Sequence, residues 1–353
     1  MLLPALGQRS ERTRGESVLE RGLQEAYAVV TVGRVWHAYT RIREHIRTTP
    51  LEYSSALSRL FGETCHLKLE NLQNTGSFKI RGAANKMLTL REQELAAGVI
   101  CASSGNHARA VAHMAAVLGA NALVVVPFAT PKTKVNAVRD LGAQVIVQGD
   151  SYDEAERYAW QLQRETGRVF IHAFTDPDVI AGQGSVALEI MQQLPQFTQV
   201  VVPAGGGGLI TGMAVALKNL MPHARIIGVS SEASPSWPES RRASKVVSPP
   251  VLPTLADGTA GDIAEYTFNL AAKYVDEFIL VREASIAHAI RWMATEHHQI
   301  IEGAAALALA AALEQHPSLS KVPTIAVLTG QNIDMSTFCE CLDRKESMHD
   351  SDA

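Results

Sequence analysis

Short apolar segments alternate with helical segments along most of this chain. The runs 99–102, 122–126 and 200–202 have the length and composition of strands buried on both faces, and patterns of helical period lie between them. Strands of this kind, joined by helices, form parallel sheets with helices on both faces. The sequence therefore predicts an α/β fold in which ligands bind at the carboxyl ends of the strands.

In the second half of the chain, the predicted strands are further apart. Strands are predicted at 225–229 and 324–328, with no strand between them and helices around residues 264–273, 284–298 and 302–313. Residues 230–253 are rich in serine and proline, and this composition predicts a long surface loop.

The composition excludes several classes of protein. Of the 353 residues, 46% are hydrophobic and 19% are charged, which is typical of a globular enzyme. The net charge of −4 provides no basic surface for a phosphate backbone, so no nucleic-acid partner is expected. No apolar run is long enough to span a membrane, and the four cysteines form no CxxC pair, which favours a reducing, cytoplasmic location.

The two ends of the chain differ from the part between them. Residues 1–34 mix arginines with glutamates and lack the apolar centre of a signal peptide, so they are predicted to form a poorly ordered or partly helical extension. Residues 343–353 are predicted to be a frayed polar tail.

Lys79 follows a turn-forming segment and begins a helical pattern. Residues 74–77 (Asn-Thr-Gly-Ser) form the turn, and Ile80, Ala83 and Met87 share one face of the next helix. Burial beside apolar residues lowers the pKa of a lysine, and a neutral amine can attack a carbonyl to form a Schiff base. Taken alone, this segment also fits a solvated lysine in a first helical turn.

Two strand-to-helix turns have the composition of anion-binding sites. Residues 103–107 (Ser-Ser-Gly-Asn-His) open a helix whose first N–H groups can bind a carboxylate, although a simple helix cap is the alternative. Four consecutive glycines, 205–208, open another helix and allow the backbone to wrap a phosphate. The glycine spacing fits neither a Walker loop nor a dinucleotide fingerprint, so a single phosphate monoester is the predicted ligand.

Thr329 follows the last predicted strand, where its hydroxyl could face a ring nitrogen; the alternative is a simple turn. An aldehyde-reactive lysine, a phosphate loop, a carboxylate-binding turn and this hydroxyl together indicate pyridoxal phosphate acting on an amino acid.

The chain resembles the fold type II pyridoxal-phosphate enzymes, and within them the threonine/serine dehydratase and serine racemase family. The resemblance covers roughly residues 49–334. It is carried by the segments KLENLQNTGSFKIRGA, ASSGNHARAVA, IAGQGSVALEI, VVPAGGGGLITG and LTGQNID.

The resemblance implies roles for individual residues. Lys79 would form the Schiff base with the cofactor and move the α-proton, and Ser104 is a second candidate catalytic residue. The implied cofactor-binding residues, besides Lys79, are Phe78, Asn106, Gly205, Gly206, Gly207, Gly208, Leu209 and Thr329. The implied substrate-binding residues are Ser103, Ser104, Gly105 and His107. The implied reaction removes water and ammonia from a β-hydroxy amino acid and gives a 2-oxo acid.

The resemblance also implies an architecture. A tryptophan synthase β-like fold would place the cofactor between two three-layer domains with parallel sheets. Residues 35–97 and 176–342 would form the large, cofactor-binding domain, and residues 98–175 the small domain. A homodimer is implied, and feedback control by isoleucine is not expected because no regulatory domain follows.

Several positions depart from the family pattern. Position 329 is threonine where serine or cysteine is usual, and Ser104 matches serine racemase where many threonine dehydratases have alanine. Ser230 stands where the family has a metal-binding glutamate and Glu232 is out of register, so no metal site is expected. Glu302 is expected to approach the cofactor pocket; a metal pair with His298 is the less favoured interpretation.

Three hypotheses on function remain open. The leading one is an ammonia-lyase acting on a threonine-like or serine-like amino acid. Its substrate could derive from hydroxyectoine, since residues 254–310 are similar to the dehydratase branch associated with hydroxyectoine utilisation. The second is a serine- or aspartate-type racemase with side elimination activity, and the third is a non-catalytic pyridoxal-phosphate carrier.

Overall fold

The computed structural model describes residues 29–343. Its strands are β1 (Leu51–Tyr53), β2 (Cys65–Leu69), β3 (Val99–Ala102), β4 (Ala122–Val126), β5 (Gln144–Val147), β6 (Val169–Phe170), β7 (Gln199–Pro203), β8 (Arg225–Ser231), β9 (Glu277–Val281) and β10 (Thr324–Leu328). Its helices are α1 (Val32–Ile42), α2 (Ser55–Phe61), α3 (Lys79–Met87), α4 (Glu92–Ala97), α5 (Asn106–Leu118), α6 (Lys132–Arg139), α7 (Tyr152–Thr166), α8 (Pro177–Gln193), α9 (Gly208–Leu220), α10 (Ser236–Ala243), α11 (Glu265–Tyr274), α12 (Glu283–Glu296), α13 (Gly303–Leu313) and α14 (Met335–Asp343). Short 3₁₀ turns cover Glu70–Leu72 and Asp257–Thr259.

The strands form two separate sheets. A six-stranded sheet has the order β1-β2-β10-β7-β8-β9, and a four-stranded sheet has the order β5-β4-β3-β6. Every strand pair is parallel except β1 with β2. The predicted α/β fold with parallel sheets is therefore confirmed. The part of the chain built on the six-stranded sheet is called the large unit below, and the part built on the four-stranded sheet is called the small unit.

Helices cover both faces of the large sheet, as its apolar strands require. Helix α13 (GAAALALAAAL) is buried on all sides and packs in one core cluster with α12, whereas α8, α9 and α11 contribute to a second cluster. Strands β7 and β10 are buried along their whole length. Burial on both faces explains why these strands are continuous apolar runs rather than alternating ones.

Helix α3 packs against the small unit. Its residues Ile80, Ala83 and Met87 lie in one core cluster with Cys101 of β3 and Val111 of α5. The predicted boundary between the domains, which assigned residues 35–97 to the large domain, stays a prediction.

A buried ion network, formed by Lys68, Glu70, Arg81 and Glu189, anchors the start of α3. The Arg81 guanidinium binds both carboxylates at 2.7–2.8 Å, and Lys68 Nζ lies 2.8 Å from Glu189 Oε2. All four side chains are almost completely buried. Because each charge meets an opposite charge with good geometry, this network can remain in the protein interior. It fixes the helix turn that carries Lys79, two residues before Arg81.

Residues 230–253 differ in part from their prediction as a surface loop. They contain the end of β8 and helix α10, whose Trp237 is buried. Pro235 immediately precedes this helix and Pro238 lies in its first turn, where a proline removes no hydrogen bond. Two of the prolines therefore mark the start of a helix, whereas residues 246–253, with Pro249 and Pro250, form the irregular surface segment that was predicted.

Two further features add to the prediction. Strand β9 lies between two of the predicted helices, where no element was predicted, and its five residues complete the edge of the large sheet beside β8. Helix α1 begins at Val32, so residues 32–34, at the end of the predicted extension, are helical, which is one of the two conformations predicted for it. Residues 1–28 of that extension and 344–353 of the predicted tail lie outside the described residues. Within residues 29–343, each helix is too short or too polar to cross a membrane.

Candidate active site

A cavity of about 820 Å³ lies at the carboxyl ends of the strands and is lined by residues of both units. Strands β3, β7 and β10 all end at it, so the three turns singled out in the sequence meet there with Lys79. The lining includes all the predicted cofactor-binding and substrate-binding residues. Within each sheet the parallel strands end on the same side, and the two sheets meet at the cavity with those sides.

Lys79 is the first residue of α3 and its position is set by the last strand. The Phe78 N–H donates to the carbonyl of Thr329 at 3.0 Å, and Ser77 forms an isolated bridge with Gly330. The Lys79 Nζ atom lies 3.4 Å from the carbonyl oxygen of Ala173 and 5.3 Å from the centroid of the Phe78 ring.

Burial lowers the pKa of Lys79 to about 8, and the carboxyl of Glu302 opposes that shift. Roughly a tenth of the amine is therefore neutral at pH 7, several hundred-fold more than for an ordinary lysine, which favours a role as a nucleophile or a base.

The glycine turn has no room for side chains. A Cβ atom on Gly206 would collide with the Phe174 ring, and one on Gly207 would lie 2.7 Å from Trp237. Gly207 also has a φ of +95°, which only glycine adopts without strain. The first intrahelical hydrogen bond of α9 runs from Thr211 to Gly207, so the preceding N–H groups have no acceptor within the helix. These bare N–H groups form an anion-binding turn.

Trp237 holds this glycine turn and was missed by the sequence analysis. Its indole Nε1 donates to the carbonyl of Gly205 at 2.6 Å, and its ring stacks on Phe278 at 4.5 Å between centroids. The hydrogen bond fixes the direction of the Gly205 peptide. A tryptophan is unusual in a segment rich in serine and proline, and that contrast was the available signal.

The two serine hydroxyls of the turn at residues 103–107 differ in their hydrogen bonding. The hydroxyl of Ser103 accepts from the Gly105 N–H at 3.3 Å. The Ser104 hydroxyl lines the cavity and has no hydrogen-bond partner among residues 29–343. Ser104 is therefore available to a ligand, whereas Ser103 also shapes the turn.

His107 is buried behind this turn. Its Nε2 lies 2.7 Å from the Ile171 carbonyl, and burial, with Lys79 nearby, lowers its pKa to about 3. The ring is therefore neutral, Nε2 donates the bond, and Nδ1 is left without a partner within the described chain. This arrangement locates His107 at the cavity wall as a neutral group.

Asn106 belongs to a hydrogen-bonded chain of side chains at the cavity floor. Its Nδ2 donates to Glu302 Oε1 at 2.6 Å, and its Oδ1 accepts from Asn332 Nδ2 at 2.6 Å. Burial raises the pKa of Glu302 to about 7, with Asp257 adding to the shift and the Asn106 hydrogen bond opposing it. Glu302 therefore lines the pocket as expected, whereas His298 is exposed. A Cβ atom on Gly330 would collide with the Glu302 carboxylate, so that position requires glycine.

Thr329 is 2% exposed and lies at the wall of the cavity. Ser230, at the position of the family's metal-binding glutamate, donates its hydroxyl to the Ala204 carbonyl at 2.9 Å. Within residues 29–343, no group of three or more histidine, cysteine, aspartate or glutamate side chains has the geometry of a metal site.

Several charged residues that the sequence analysis did not single out also line the cavity, among them Arg109, Lys134 and Asp257. Lys134 of α6 and Asp257 of the large unit form an ion pair at 2.9 Å that links the two units. Such contacts between distant segments leave no local pattern in the sequence.

Comparison with known proteins gives consistent matches. A family model described as pyridoxal-phosphate dependent enzyme matches residues 42–330. An L-threonine ammonia-lyase of Thermotoga maritima is 45% identical over 312 residues, covering 87% of this chain and 77% of that protein. A catabolic L-threonine dehydratase of Staphylococcus aureus is 40% identical over 319 residues, covering 89% of this chain and 92% of that protein. The structure of maize serine racemase superposes with a TM-score of 0.85 at 32% identity, covering 88% of this chain and 96% of that one.

Proposed function

The chain belongs to the pyridoxal-phosphate dependent enzymes, and on that premise we propose that it is an ammonia-lyase acting on a β-hydroxy amino acid. The substrate would be of the threonine or serine type, and the products a 2-oxo acid and ammonia. The observation that carries the proposal is the single cavity that holds a buried lysine amine, a bare glycine turn and a second anion-binding turn. The similarity to L-threonine ammonia-lyase and L-threonine dehydratase supports the same reaction.

The residues present fit the cofactor. The glycine turn accepts no side chain and can hold a phosphate, and the Lys79 amine has the lowered pKa that attack on an aldehyde requires. We assign the phosphate to Gly205–Leu209, the ring hydroxyl to Asn106 and the ring nitrogen to Thr329, with Phe78 beside the ring. When bound, pyridoxal phosphate supplies an electron sink for negative charge at the substrate Cα.

Lys79 is proposed as the residue that accepts the α-proton. With a pKa of about 8, its amine can both take and return a proton near neutral pH. The N–H groups and hydroxyls of Ser103–Gly105 would hold the substrate carboxylate and so orient the Cα–H bond, and the neutral ring of His107 would close the wall behind them. The helix dipole of α5 adds to the attraction for this carboxylate.

Glu302 is proposed to orient Asn106. The carboxyl accepts from Asn106 Nδ2, while Asn332 holds the opposite end of the same amide. Both ends of the amide are therefore fixed before any ligand binds. A Cβ atom on Gly330 would collide with this carboxylate, so the glycine leaves the room that the carboxylate occupies.

Racemase activity is the second candidate function, and one observation favours it. The Ser104 hydroxyl lines the cavity without a hydrogen-bond partner in the described chain, so it is available as a second acid or base. The similarity to maize serine racemase also supports racemase activity. Chiral analysis of L-serine incubated with the enzyme tests it: Ser104→Ala should abolish formation of D-serine while ammonia release continues.

The finer identity of the substrate is also part of the proposal. Threonine and serine are the first compounds to assay, followed by a β-hydroxy amino acid derived from hydroxyectoine. A cytoplasmic homodimer is the proposed working form, which light scattering of the purified protein would test.

The proposal is tested by the visible absorbance of the purified protein and by release of 2-oxo acid. We expect a band that shifts on addition of L-threonine or L-serine, together with release of 2-oxo acid. Lys79→Ala should remove the band and lower turnover by roughly 10³-fold or more, because both the attachment and the proton transfer are lost. Lys245→Ala, at an exposed lysine, is the matched control. Full turnover in Lys79→Ala with a native circular-dichroism spectrum would refute the assignment.

A further inference from the structure

The cavity contains a cation that the proposed function leaves unused. Two lysines and one arginine line the cavity: Lys79, Lys134 and Arg109. Lys79 is assigned to the cofactor, and Lys134 is paired with Asp257 at 2.9 Å. Arg109 has no side-chain hydrogen bond or ion pair with any other residue from 29 to 343. A half-buried guanidinium without an anion is unusual, because charges that leave water are normally paired.

The burial of this guanidinium is uneven. Its Nε atom is shielded from solvent and has no hydrogen-bond partner in the described part of the chain. A guanidinium offers its donors in a planar fork that matches a carboxylate with two parallel bonds. A carboxylate in the cavity would therefore pair an N–H group that the protein itself leaves unpaired.

The nearby acidic groups of the small unit do not fill this role. Asp153 and Glu156, at the start of α7, also line the cavity, but neither lies within 4.0 Å of Arg109. Glu156 is instead bound by His172 at 3.1 Å and by the Tyr152 hydroxyl at 3.5 Å. His172 keeps its proton on Nε2 for that contact, because its Nδ1 accepts from two backbone N–H groups.

The position of Arg109 within α5 directs it toward the substrate. It lies in the first turn of the helix, three residues after Asn106. Side chains of a helix lean toward its amino terminus, so Arg109 leans toward the turn at 103–107. That turn is the one assigned to the α-carboxylate, so a second carboxylate on the same substrate would lie within the same part of the cavity.

We propose that Arg109 binds a side-chain carboxylate, and that the preferred substrates are β-hydroxy amino acids with two carboxylates, 3-hydroxyaspartate being the smallest. This inference rests on the proposed lyase function and specifies its substrate. Water is eliminated across the Cα–Cβ bond and water is taken up again when the product imine hydrolyses. The net products are therefore oxaloacetate and ammonia.

The test compares two substrates in the holoenzyme. We measure kcat/KM for L-threo-3-hydroxyaspartate and for L-serine in the wild type, in Arg109→Gln and in Arg109→Lys. The ratio of the two kcat/KM values should fall by roughly 100-fold in Arg109→Gln, because a charge-assisted bidentate contact is lost. Arg109→Lys keeps the positive charge but lacks the planar pair of donors. Its ratio should therefore lie between those of the wild type and Arg109→Gln. Lys132→Gln, an exposed charge on the neighbouring α6, is the control for net charge and should leave the ratio unchanged.

A binding measurement separates this inference from the proposed function. Succinate, an unreactive dicarboxylate, should raise the melting temperature of the wild-type holoenzyme more than butyrate does, and Arg109→Gln should lose that difference. If no substrate releases ammonia, the lyase proposal fails, and the succinate result still decides whether Arg109 binds a carboxylate.

Three results would overturn the inference. The first is an equal loss of kcat/KM for both substrates in Arg109→Gln. That result would show that Arg109 binds the α-carboxylate, which both substrates share. The second is a wild type that processes L-serine but neither processes hydroxyaspartate nor responds to succinate. The third is a preference for a β-hydroxy amino acid with a side-chain amine, which would make the cavity's carboxylates the specificity groups.

Discussion

Two sets of charges in this protein bind oppositely charged partners at nearly the same distances in very different surroundings. In the buried ion network, Arg81 and Lys68 meet Glu70 and Glu189 at 2.7–2.8 Å with no exposed side chain. In the Lys134–Asp257 pair the distance is 2.9 Å, but the two side chains are 24% and 65% exposed. Distance alone therefore does not separate the two; access to water does.

This difference suits the positions that the two sets occupy. The buried ion network lies beneath Lys79, and the loss of one partner there would leave a charge without compensation. The Lys134–Asp257 pair joins the two units across the cavity, where water can replace either partner. The comparison predicts a fixed lysine and a contact between the units that can open for a ligand to enter.

The largest effect is expected from breaking the buried ion network. Arg81→Ala should lower the free energy of unfolding by roughly 3 to 5 kcal/mol, because two buried carboxylates lose their partner. Urea unfolding followed by circular dichroism measures the change. Arg59→Ala, at an exposed arginine on α2, is the control and should change stability by less than about 0.5 kcal/mol. Similar values for the two variants would show that the network does not stabilise the fold.

Glu302 provides an intermediate case, a buried carboxyl held mainly by a neutral amide. Its pKa is raised from 4.5 to about 7, so the folded protein keeps a proton that the unfolded chain releases. The stability that this proton contributes is complete below pH 4.5 and is lost as the pH rises to about 7. The total is about 3 kcal/mol, at 1.36 kcal/mol per pKa unit.

Replacement of Glu302 by glutamine removes this titration. In cofactor-free protein, the unfolding free energy of Glu302→Gln should decline less between those pH values than that of the wild type. Urea unfolding across the pH range measures both slopes. Glu265→Gln, at an exposed glutamate, should follow the wild type. An unchanged slope in Glu302→Gln would assign the proton to another group.

The smallest effect is expected at the Lys134–Asp257 pair. Lys134→Gln or Asp257→Asn should change the unfolding free energy by less than about 1 kcal/mol, because both partners remain accessible to water. Added salt should reduce the difference further. A double-mutant cycle at low and high salt measures the coupling. A coupling of about 3 kcal/mol that salt does not alter would place this pair with the buried charges and remove the contrast.

The sequence predicted the elements around the cavity where a strand, a turn and a helix follow one another in the chain. The turns around Gly205, Ser103 and Thr329 each follow an apolar strand, and strand ends in parallel sheets converge, so their meeting with Lys79 could be anticipated. The lowered pKa of Lys79 followed from the apolar face of its helix. The assignment to the pyridoxal-phosphate enzymes was confirmed by the family match.

Other features depend on contacts between segments that are distant in the sequence. Trp237 binds the glycine turn 32 residues before it, and Lys134 meets a partner 123 residues away. Arg109 is notable because partners are lacking in the described structure, and no sequence pattern reports a missing partner. Strand β9 (EFILV) was missed because its short apolar run lies between two helices and could be taken for part of either.

The order of strands in the large sheet has a consequence for synthesis of the protein on the ribosome. The last strand, β10, lies in the middle of the sheet between β2 and β7, and Thr329 just after it holds the Phe78 N–H beside Lys79. The lysine pocket therefore lacks one wall until β10 and Thr329 have emerged from the ribosome. A nascent chain that stops short of residue 329 leaves two apolar strand edges unpaired. Completion of the cofactor pocket therefore waits until residues 324–329 have been synthesised.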